Sequence, residues 1–575
     1  MKKLFTPILG LLMMLSTQAQ AQSFESAKDA VKNMGVGWNL GNTLDANDAT
    51  KTWTTTEEHE TCWGQPVTKP ELMKMMKEAG FGAIRVPVTW YQEIDSNGKI
   101  NEAWLKRVKE VVDYVIDNGM YCILNIHHDT GHDNEPFKSW IKADESNYQQ
   151  NKEKFEYIWQ QIAEAFKDYD QHLLFEGYNE MLDAKNCWNY ASSIGTYDAN
   201  AAKKSYDAIN NYAQSFVNVV RSTGGNNASR NLIVNTYAAS IGSDQGNGKE
   251  VLDQFKVPTD PAKDHIAVEV HQYPSIASGF DSGKSGIDWA FKYINEKIIT
   301  GMNVPVIIGE WGSSNVDAGA GKTDYDLRKA DYLKFVDYWI KKSKELNIAS
   351  FYWMGLSNGS ARELPAFNQP DIVETMLKAY YGKDYSGIIP SIDDYDLEYT
   401  VTYEQEWAEA FLFGDWGSSV VKLSDYKDIT VETDAPYGET MQIKVYGDAQ
   451  GNNNYKLQEV KLSAESNTTT VTFDASLLGT NLTRVMLQTC SGAKTVKVKN
   501  VTLTKADGTI IKSSVAKGWG CEVKSEYTKK EDTGIHNTKA NLTEVDDAIY
   551  NLQGQRITSP RKGIYIQNGK KYIAK

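Results

Sequence analysis

Residues 83–126 hold one complete structural unit: the apolar run Ala83-Ile84-Arg85-Val86-Pro87-Val88, then Trp104, Val108, Val111, Val112 and Val115, then Tyr121-Cys122-Ile123-Leu124-Asn125-Ile126. The middle five residues fall on one face at helical spacing, and the flanking runs are short and apolar throughout, as strands buried on both faces are. Outward from this unit the same alternation recurs. Further runs lie at Met34 to Trp38, Leu173 to Tyr178, Leu232 to Thr236, His265 to Val270, Val304 to Gly309 and Ala349 to Met354. A second helical face is carried by Phe155, Ile158, Trp159, Ile162 and Phe166. Thr68, Pro70 and Glu71 predict a capping-box helix start, with Gly80 as its stop. Eight strands alternating with helices indicate an α/β chain whose parallel sheet closes into a (β/α)8, or TIM, barrel. An open doubly wound sheet is the alternative, but no glycine-rich phosphate loop accompanies it.

After about residue 385 the pattern becomes period-two alternation with turns, as in Met441 to Tyr446 and Val496 to Leu503. Residues 396–527 read as an all-β sandwich, reached through a linker at Pro390 to Asp394. A polar stretch, Ser525 to Asn541, leads to a last β unit within 545–575. At the other end, Lys2 and Lys3, the apolar run Leu4 to Leu15 and Ala19-Gln20-Ala21 read as a signal peptide over residues 1–21, which leaves 22–385 for the barrel. That apolar run is shorter than the roughly 20 residues a membrane span requires.

The 575 residues carry 61 Lys and Arg against 75 Asp and Glu, a formal net charge of −14. Phosphate backbones and anionic membranes would be repelled, so no nucleic acid is expected as a partner. With 15 Trp and 32 Tyr beside 17 Phe, most aromatic rings carry a polar edge as well as an apolar face. Trp104, Trp159, Trp289 and Trp339 lie on helical patterns and are assigned to packing. Trp38, Trp53, Trp63, Trp90, Trp140, Trp188, Trp311 and Trp353 fall at strand ends or in the loops that follow, a candidate cleft lining. Of the five cysteines, Cys122 reads as core; export would permit disulfides, with Cys490–Cys521 and Cys62–Cys187 the expected pairs.

In a parallel barrel, chemistry gathers at the C-terminal strand ends. Those ends carry Arg85, His127-His128-Asp129, Asn179-Glu180, His271-Gln272-Tyr273, Glu310-Trp311 and Trp353. A single glutamate there is commonly a solvated cap or an ion-pair partner. Two glutamates from different strands, surrounded by Arg85, His127, His271 and Tyr273, fit a proton donor paired with an ionised nucleophile, which glycoside hydrolysis uses most directly. Metal hydrolysis through His127, His128, Asp129, Glu180 and His271 is the rival. It is disfavoured because neighbouring strand residues point to opposite faces, separating His127 from His128, and because strand 1 supplies no ligand. No metal or other cofactor is expected.

The motifs Gly37-Trp38-Asn39-Leu40-Gly41-Asn42-Thr43-Leu44, Trp63-Gly64, Ile84-Arg85-Val86-Pro87-Val88, Asn125-Ile126-His127-His128, Phe175-Glu176-Gly177-Tyr178-Asn179-Glu180, His271-Gln272-Tyr273, Ile308-Gly309-Glu310-Trp311-Gly312 and Trp353 resemble, in this order, glycoside hydrolase family 5, the cellulase-type barrels. The resemblance covers roughly Ser23 to Tyr381. It implies a retaining double displacement with Glu180 as acid/base and Glu310 as nucleophile. It further implies that Arg85 and Tyr273 keep Glu310 ionised, Asn179 meets the sugar 2-hydroxyl, His127 and His271 orient hydroxyls or the acid/base, and Trp353 lies beneath the reacting sugar. Asn42, His128 and Trp311 are carried as supporting or substrate-binding residues. The implied activity is endo-β-1,4-glucanase on plant β-glucans, with mannanase, xylanase or xyloglucanase as alternatives. A non-catalytic sugar-binding barrel would be expected to lose one glutamate, and this chain keeps both. Met181 departs from the family's usual proline after the acid/base.

The chain's end, with Ile549-Tyr550-Asn551, Gly554-Gln555-Arg556, Gly563-Ile564-Tyr565 and a basic finish, resembles the sorting tails of proteins exported by type IX secretion. That resemblance implies secretion machinery as a partner and an enzyme that is secreted or attached to the outer-membrane surface; a monomer is expected. Two readings of 396–527 stay open: a carbohydrate-binding module using Trp407, Trp416 and Trp519, or a spacer with those residues in its core.

Overall fold

A computed structural model describes residues 24–191, 197–276, 278–313, 322–416, 420–451 and 454–530, with side chains from residue 329 in the helix that begins at 322, and the backbone of four strands between 549 and 574. The proposed signal peptide lies outside the described residues. The chain divides into two compact units, Met1–Asp393 and Asp394–Lys575.

In the first unit a closed parallel barrel runs β1 (Val36–Asn39), β2 (Ala83–Val86), β3 (Tyr121–Asn125), β4 (Leu173–Glu176), β5 (Leu232–Asn235), β6 (Ile266–Gln272), β7 (Val306–Trp311) and β8 (Ala349–Tyr352). Each of the eight apolar runs contributes one strand. The helix Glu102–Asp117 buries Trp104, Val108, Val111, Val112 and Val115 against the sheet, the face its spacing specified. The helix Pro70–Ala79 ends at Gly80 as anticipated, with φ 118° at the cap. Its start differs: Lys69 is the N-cap without a side-chain bond, and the Thr68 hydroxyl is buried without a hydrogen-bond partner. Glu60 takes the Thr68 backbone N–H, so the segment is held by tertiary contact instead of a capping box. Among the described residues, a capping box is formed by Thr55 and Glu58.

Period two sorts the barrel interior into layers. Ala83, Ile123, Leu174, Ile233, Ala267 and Ile307 form an apolar floor, closed below by Ala27, Ala30 and Val31 of the helix Ala27–Asn33. Two residues further along the strands stand Arg85, Asn125, Glu176, Asn235, Glu269 and Gly309, with Asn39 from β1, so a polar layer lies directly above the floor. The intervening residues, among them Trp38, Ile84, Leu124, Phe175 and Val268, face the helices.

The second unit packs two antiparallel sheets over one core. Its strands are β9 (Tyr395–Tyr403), β10 (Glu409–Gly414), β11 (Val421–Lys422), β12 (Tyr426–Thr433), β13 (Met441–Gly451), β14 (Asn454–Lys461), β15 (Thr468–Thr472), β16 (Asn481–Leu482), β17 (Arg484–Thr489), β18 (Lys494–Lys505), β19 (Ile510–Lys512), β20 (Ala516–Trp519) and β21 (Cys521–Lys529). One sheet runs β14-β13-β17-β10-β20 and the other β15-β12-β18-β9-β21, with β19 beside β18. The four strands between 549 and 574 form a sheet of their own.

The expected disulfides are absent, since all five cysteines are free. Cys521 pairs with Tyr403 of one sheet, whereas Cys490 follows β17 of the other and binds Thr440 O through its backbone. Alkylation of the denatured chain without reductant should therefore modify all five thiols, as read by intact mass.

Candidate active site

The polar layer is organised around Arg85, whose side chain is fully buried. A guanidinium has five N–H donors in a rigid fork, and leaving any of them unpaired in an apolar interior is costly. Here all five are met. Nε and Nη2 donate side-on to Glu176 Oε2 and Oε1 at 2.7 and 2.8 Å, and Nη2 also donates to Asn179 Oδ1 at 2.7 Å. Nη1 donates to Glu310 Oε1 at 2.9 Å and to Asn39 Oδ1 at 3.1 Å. Because Arg85 takes the Asn179 carbonyl oxygen, the Asn179 amide N–H groups are left to face the cavity.

Glu310 reaches this cluster through an irregularity. Ile307 and Gly309 point inward and Ile308 outward, so strict alternation would send Glu310 to the helices. The register of β7 shifts against both neighbours, between Val270 and His271 on β6 and between Ile308 and Trp311 toward β8. This bulge turns Glu310 inward and Trp311 outward, and bulges commonly re-aim a side chain in this way. Trp311 is consequently buried against Trp339, Phe335 and Tyr352, and is not the substrate contact expected from its place in the sequence.

The second Glu310 oxygen accepts from Tyr273 OH at 2.8 Å. Glu180 Oε1 lies 2.7 Å from His271 Nδ1, and His271 Nε2 lies 3.2 Å from Glu269 Oε1. Carboxylate oxygens of Glu180 and Glu310 and a nitrogen of His271 all fall within 4.8 Å of one another. Burial opposes charge on His271, but Glu310, Glu180 and Glu269 outweigh it and push its pKa up to about 10, so the ring is an imidazolium donating at both nitrogens. Burial raises the Glu310 carboxyl above the ordinary glutamate range; His271, Arg85 and the Tyr273 hydroxyl work against the rise, and Glu180 adds to it. The cation beside Glu310 thus offsets desolvation and does not by itself set the outcome.

His127 is driven far below the usual histidine value by burial and by the nearby His128, Arg85 and His271, which keeps it neutral. Asn125 Nδ2 stands 3.1 Å from His127 Nδ1, and Nε2 lies 3.9 Å from Glu310 Oε1. The Asn125 amide makes Nδ1 the acceptor, so the proton is assigned to Nε2, facing the cavity. Trp353 lies parallel to the His127 ring at 5.9 Å, and a Cβ on Gly41 would stand 2.8 Å from its indole. Asn42 is part-buried with φ 61°, its backbone N–H held by Asp45. His128 packs against Trp63 and His127, and burial pushes it down to about 4.

Strand alternation does not separate His127 from His128, contrary to expectation. Strand β3 ends at Asn125, and in the loop the two rings meet at 4.5 Å, with donor atoms of Asp45, His127 and His128 within 4.8 Å. Asp129, a candidate ligand in sequence, instead accepts from the Trp90 N–H and from Trp140 Nε1. The Trp lining shrinks as well. Trp38, Trp90 and Trp311 are buried, while Trp53, stacked on His59, Trp140, beneath Lys154, and Trp63, Trp188 and Trp353 keep exposed surface.

Sequence reading missed Glu176 and Glu269 as site residues. Both sit two positions beyond apolar inward residues, which was the available signal. Glu269 also explains Gly309: a Cβ there would stand 1.9 Å from Glu269 Oε1.

Residues 46–359 match the family described as cellulase, glycosyl hydrolase family 5. Endoglucanase A of Clostridium longisporum is 34% identical over 348 residues, which are 58% of this chain and 60% of that protein, so this chain spans less than two thirds of that relative. A broad-specificity endoglucanase structure from an uncultured bacterium is 62% identical, with TM-score 0.61, covering 63% of this chain and 98% of the other. A mutant family 5 enzyme from Prevotella bryantii, in complex with a xyloglucan tetradecasaccharide, is 42% identical with TM-score 0.55, covering 62% and 99%.

Gly309→Ala should displace Glu269 and lower stability by about 1–3 kcal/mol, the usual cost of overpacking, in thermal melts. Gly286→Ala, in an open helical position, should be neutral or slightly stabilising. Glu269→Gln removes an anion and should lower the His271 pKa, followed by 15N NMR of the ring. The raised value stabilises the fold fully below about pH 6.5 and fades as pH rises to about 10, so Glu269→Gln should flatten that alkaline loss.

Proposed function

This chain belongs to glycosyl hydrolase family 5, and from that premise we propose that it is a retaining endo-β-1,4-glucanase in which Glu310 is the nucleophile and Glu180 the acid/base. The observation that supports retention most directly is the approach of the two carboxyl groups, with oxygens within 4.8 Å. Retaining pairs stand about 5–5.5 Å apart, whereas inverting pairs stand about 6.5–9.5 Å apart to admit a water.

In the first step a Glu310 oxygen bonds to the anomeric carbon while the glycosidic C–O bond breaks and the Glu180 proton passes to the departing oxygen. Oε1 of Glu180 accepts from His271, so Oε2 is the oxygen that carries this proton. In the second step Glu180, now ionised, takes a proton from water as the water oxygen displaces Glu310. Arg85 and Tyr273 hold one Glu310 oxygen each and fix its direction of attack. The Asn179 amide and the His127 Nε2–H are placed to donate to sugar hydroxyls near the reacting carbon, and Trp353 offers a flat apolar face for a pyranose ring.

The preferred substrate is an unbranched or mixed-linkage β-glucan. Xyloglucan is a second substrate, a reading favoured by the similar structure that holds a xyloglucan oligosaccharide. We further propose that residues 1–21 direct export and that 545–575 act as a sorting tail. A chain lacking 545–575 should then accumulate in the periplasm, and normal export of that chain would refute the sorting role.

Glu180→Gln and Glu310→Gln should each lower kcat on β-glucan by about 10³-fold or more, with unchanged melting temperature. Proton NMR of early products should show retained β-configuration at the new reducing end; an initial α-anomer would exclude double displacement. A panel of β-glucan, xyloglucan, mannan and xylan, with product lengths, ranks the substrates and tests internal cleavage.

A further inference from the structure

The two outer faces of the sandwich are built differently. On the six-stranded side, Thr400, Thr402, Thr430, Glu432, Thr470 and Lys497 point away from the core, the usual polar coat of a solvated sheet. On the five-stranded side, Met441, Ile443, Val445, Val485 and Leu487 fill the core, so the alternate residues share the outer face. Register places Gln442 beside Gln488, Tyr446 beside Arg484, and Glu409 beside both Gln488 and Trp519.

This face has a fixed polar floor. Gln442 donates to Gln488 at 2.6 Å, Gln488 donates to Glu409 at 2.7 Å, and Lys444 and Tyr446 donate to the same Glu409 oxygen at 3.1 and 3.2 Å. Gln442, Gln488 and Glu409 are buried although they point outward. Arg484 is only 7% exposed, lies over the Tyr446 ring at 3.9 Å and the Tyr455 ring at 4.5 Å, and its Nε has no hydrogen-bond partner among the described residues. A buried, unpaired donor is costly unless something supplies the acceptor.

Around that floor stand exposed indoles. Trp407, Trp416 and Trp519 are 50, 55 and 51% exposed, which excludes the spacer-core reading for all three. Trp416 packs edge-on against Phe411 at 4.9 Å and lies 5.5 Å from Arg484. Trp407 has φ 67°, a strained conformation for a bulky side chain, held by its N–H to Thr489 O and by Gln488 donating to its carbonyl. The turn before β10 thus holds a strained backbone at a residue whose indole is exposed.

We propose that this outer face is a second glycan-binding site, taking a neutral β-linked glucan strand of the class assigned to the catalytic cleft, a choice of ligand that rests on the proposed function. Flat aromatic planes match the apolar faces of β-linked pyranose rings, and the amide floor with Arg484 matches their hydroxyls. Glu409 and Glu459 stand against Lys444 and Arg484, so the face carries both signs and offers hydrogen bonds without a dominant charge, which suits an uncharged ligand. Four strand spacings separate β14 from β20, about 19 Å, enough for several sugar rings.

The test is calorimetric titration of the full chain carrying Glu310→Gln with cellohexaose. The parent should bind two equivalents; adding Trp416→Ala with Trp519→Ala, or separately Arg484→Leu, should leave one, with melting temperature checked for each. Thr430→Ala with Thr470→Ala on the opposite face should keep two. A stoichiometry unchanged from the parent's in both face variants overturns the proposal. Hydrolysis of cellohexaose by the chain with native Glu310 reports the catalytic reading separately. Its failure beside an intact loss of one equivalent would condemn the function and spare the site.

Discussion

Everything at the mouth of the barrel depends on burying one guanidinium. Arg85 is fully buried, so four side chains, Asn39, Glu176, Asn179 and Glu310, must be brought to it from strands on different sides of the barrel. Closure of the barrel is what brings these partners to the cation. The same fork fixes the direction of the Asn179 amide and of one Glu310 oxygen, so the scaffold's electrostatic requirement and the geometry of the candidate nucleophile have a single origin.

Around Arg85 the charges form a graded chain. Glu269 and Glu180 grip the two nitrogens of His271, and the resulting imidazolium faces Glu310 across 3.6 Å. Two cations thus stand among four carboxyl groups in a largely buried site, an arrangement in which adding or removing one proton is strongly felt by the rest. Such coupling suits a reaction in which one carboxyl group must give up a proton while its neighbour gains a covalent bond. Glu180 is the more open member, its side chain 20% exposed against 7% for Glu310, consistent with exchange of a proton with the leaving group and then with water.

The sandwich shows the reverse arrangement. Its core is ordinary, built from alternating Val, Ile and Leu, yet one outer face holds a buried amide network, a caged arginine and exposed indoles where threonine and lysine would suffice. Composition alone could not separate these two faces, because both follow the same period; the aromatic residues had to be placed on a sheet before their exposure had meaning.

What the amino-acid sequence determined by itself was whatever repeats locally. Eight apolar runs with helices between them specify the barrel, and the helical faces around Trp104 and Trp159 follow from spacing alone. The two glutamates, Arg85, His127, His271 and Tyr273 were legible because a charge or polar ring directly after a long apolar run is costly to hold unless it is paired or faces a cavity. Only the tertiary structure decided what depends on neighbours. The bulge in β7 exchanges the directions of Glu310 and Trp311, the loop position of His127 and His128 lets their rings meet, and Thr68 gives up its cap to a distant Glu60. Glu176 and Glu269 carried a strand-phase signal, but their place beside Arg85 and His271 is set only on closure. Local pattern sets the phase of a strand, but which polar groups must share one desolvated space is settled when the strands meet, because the cost of an unpaired charge is incurred across the barrel and not along the chain.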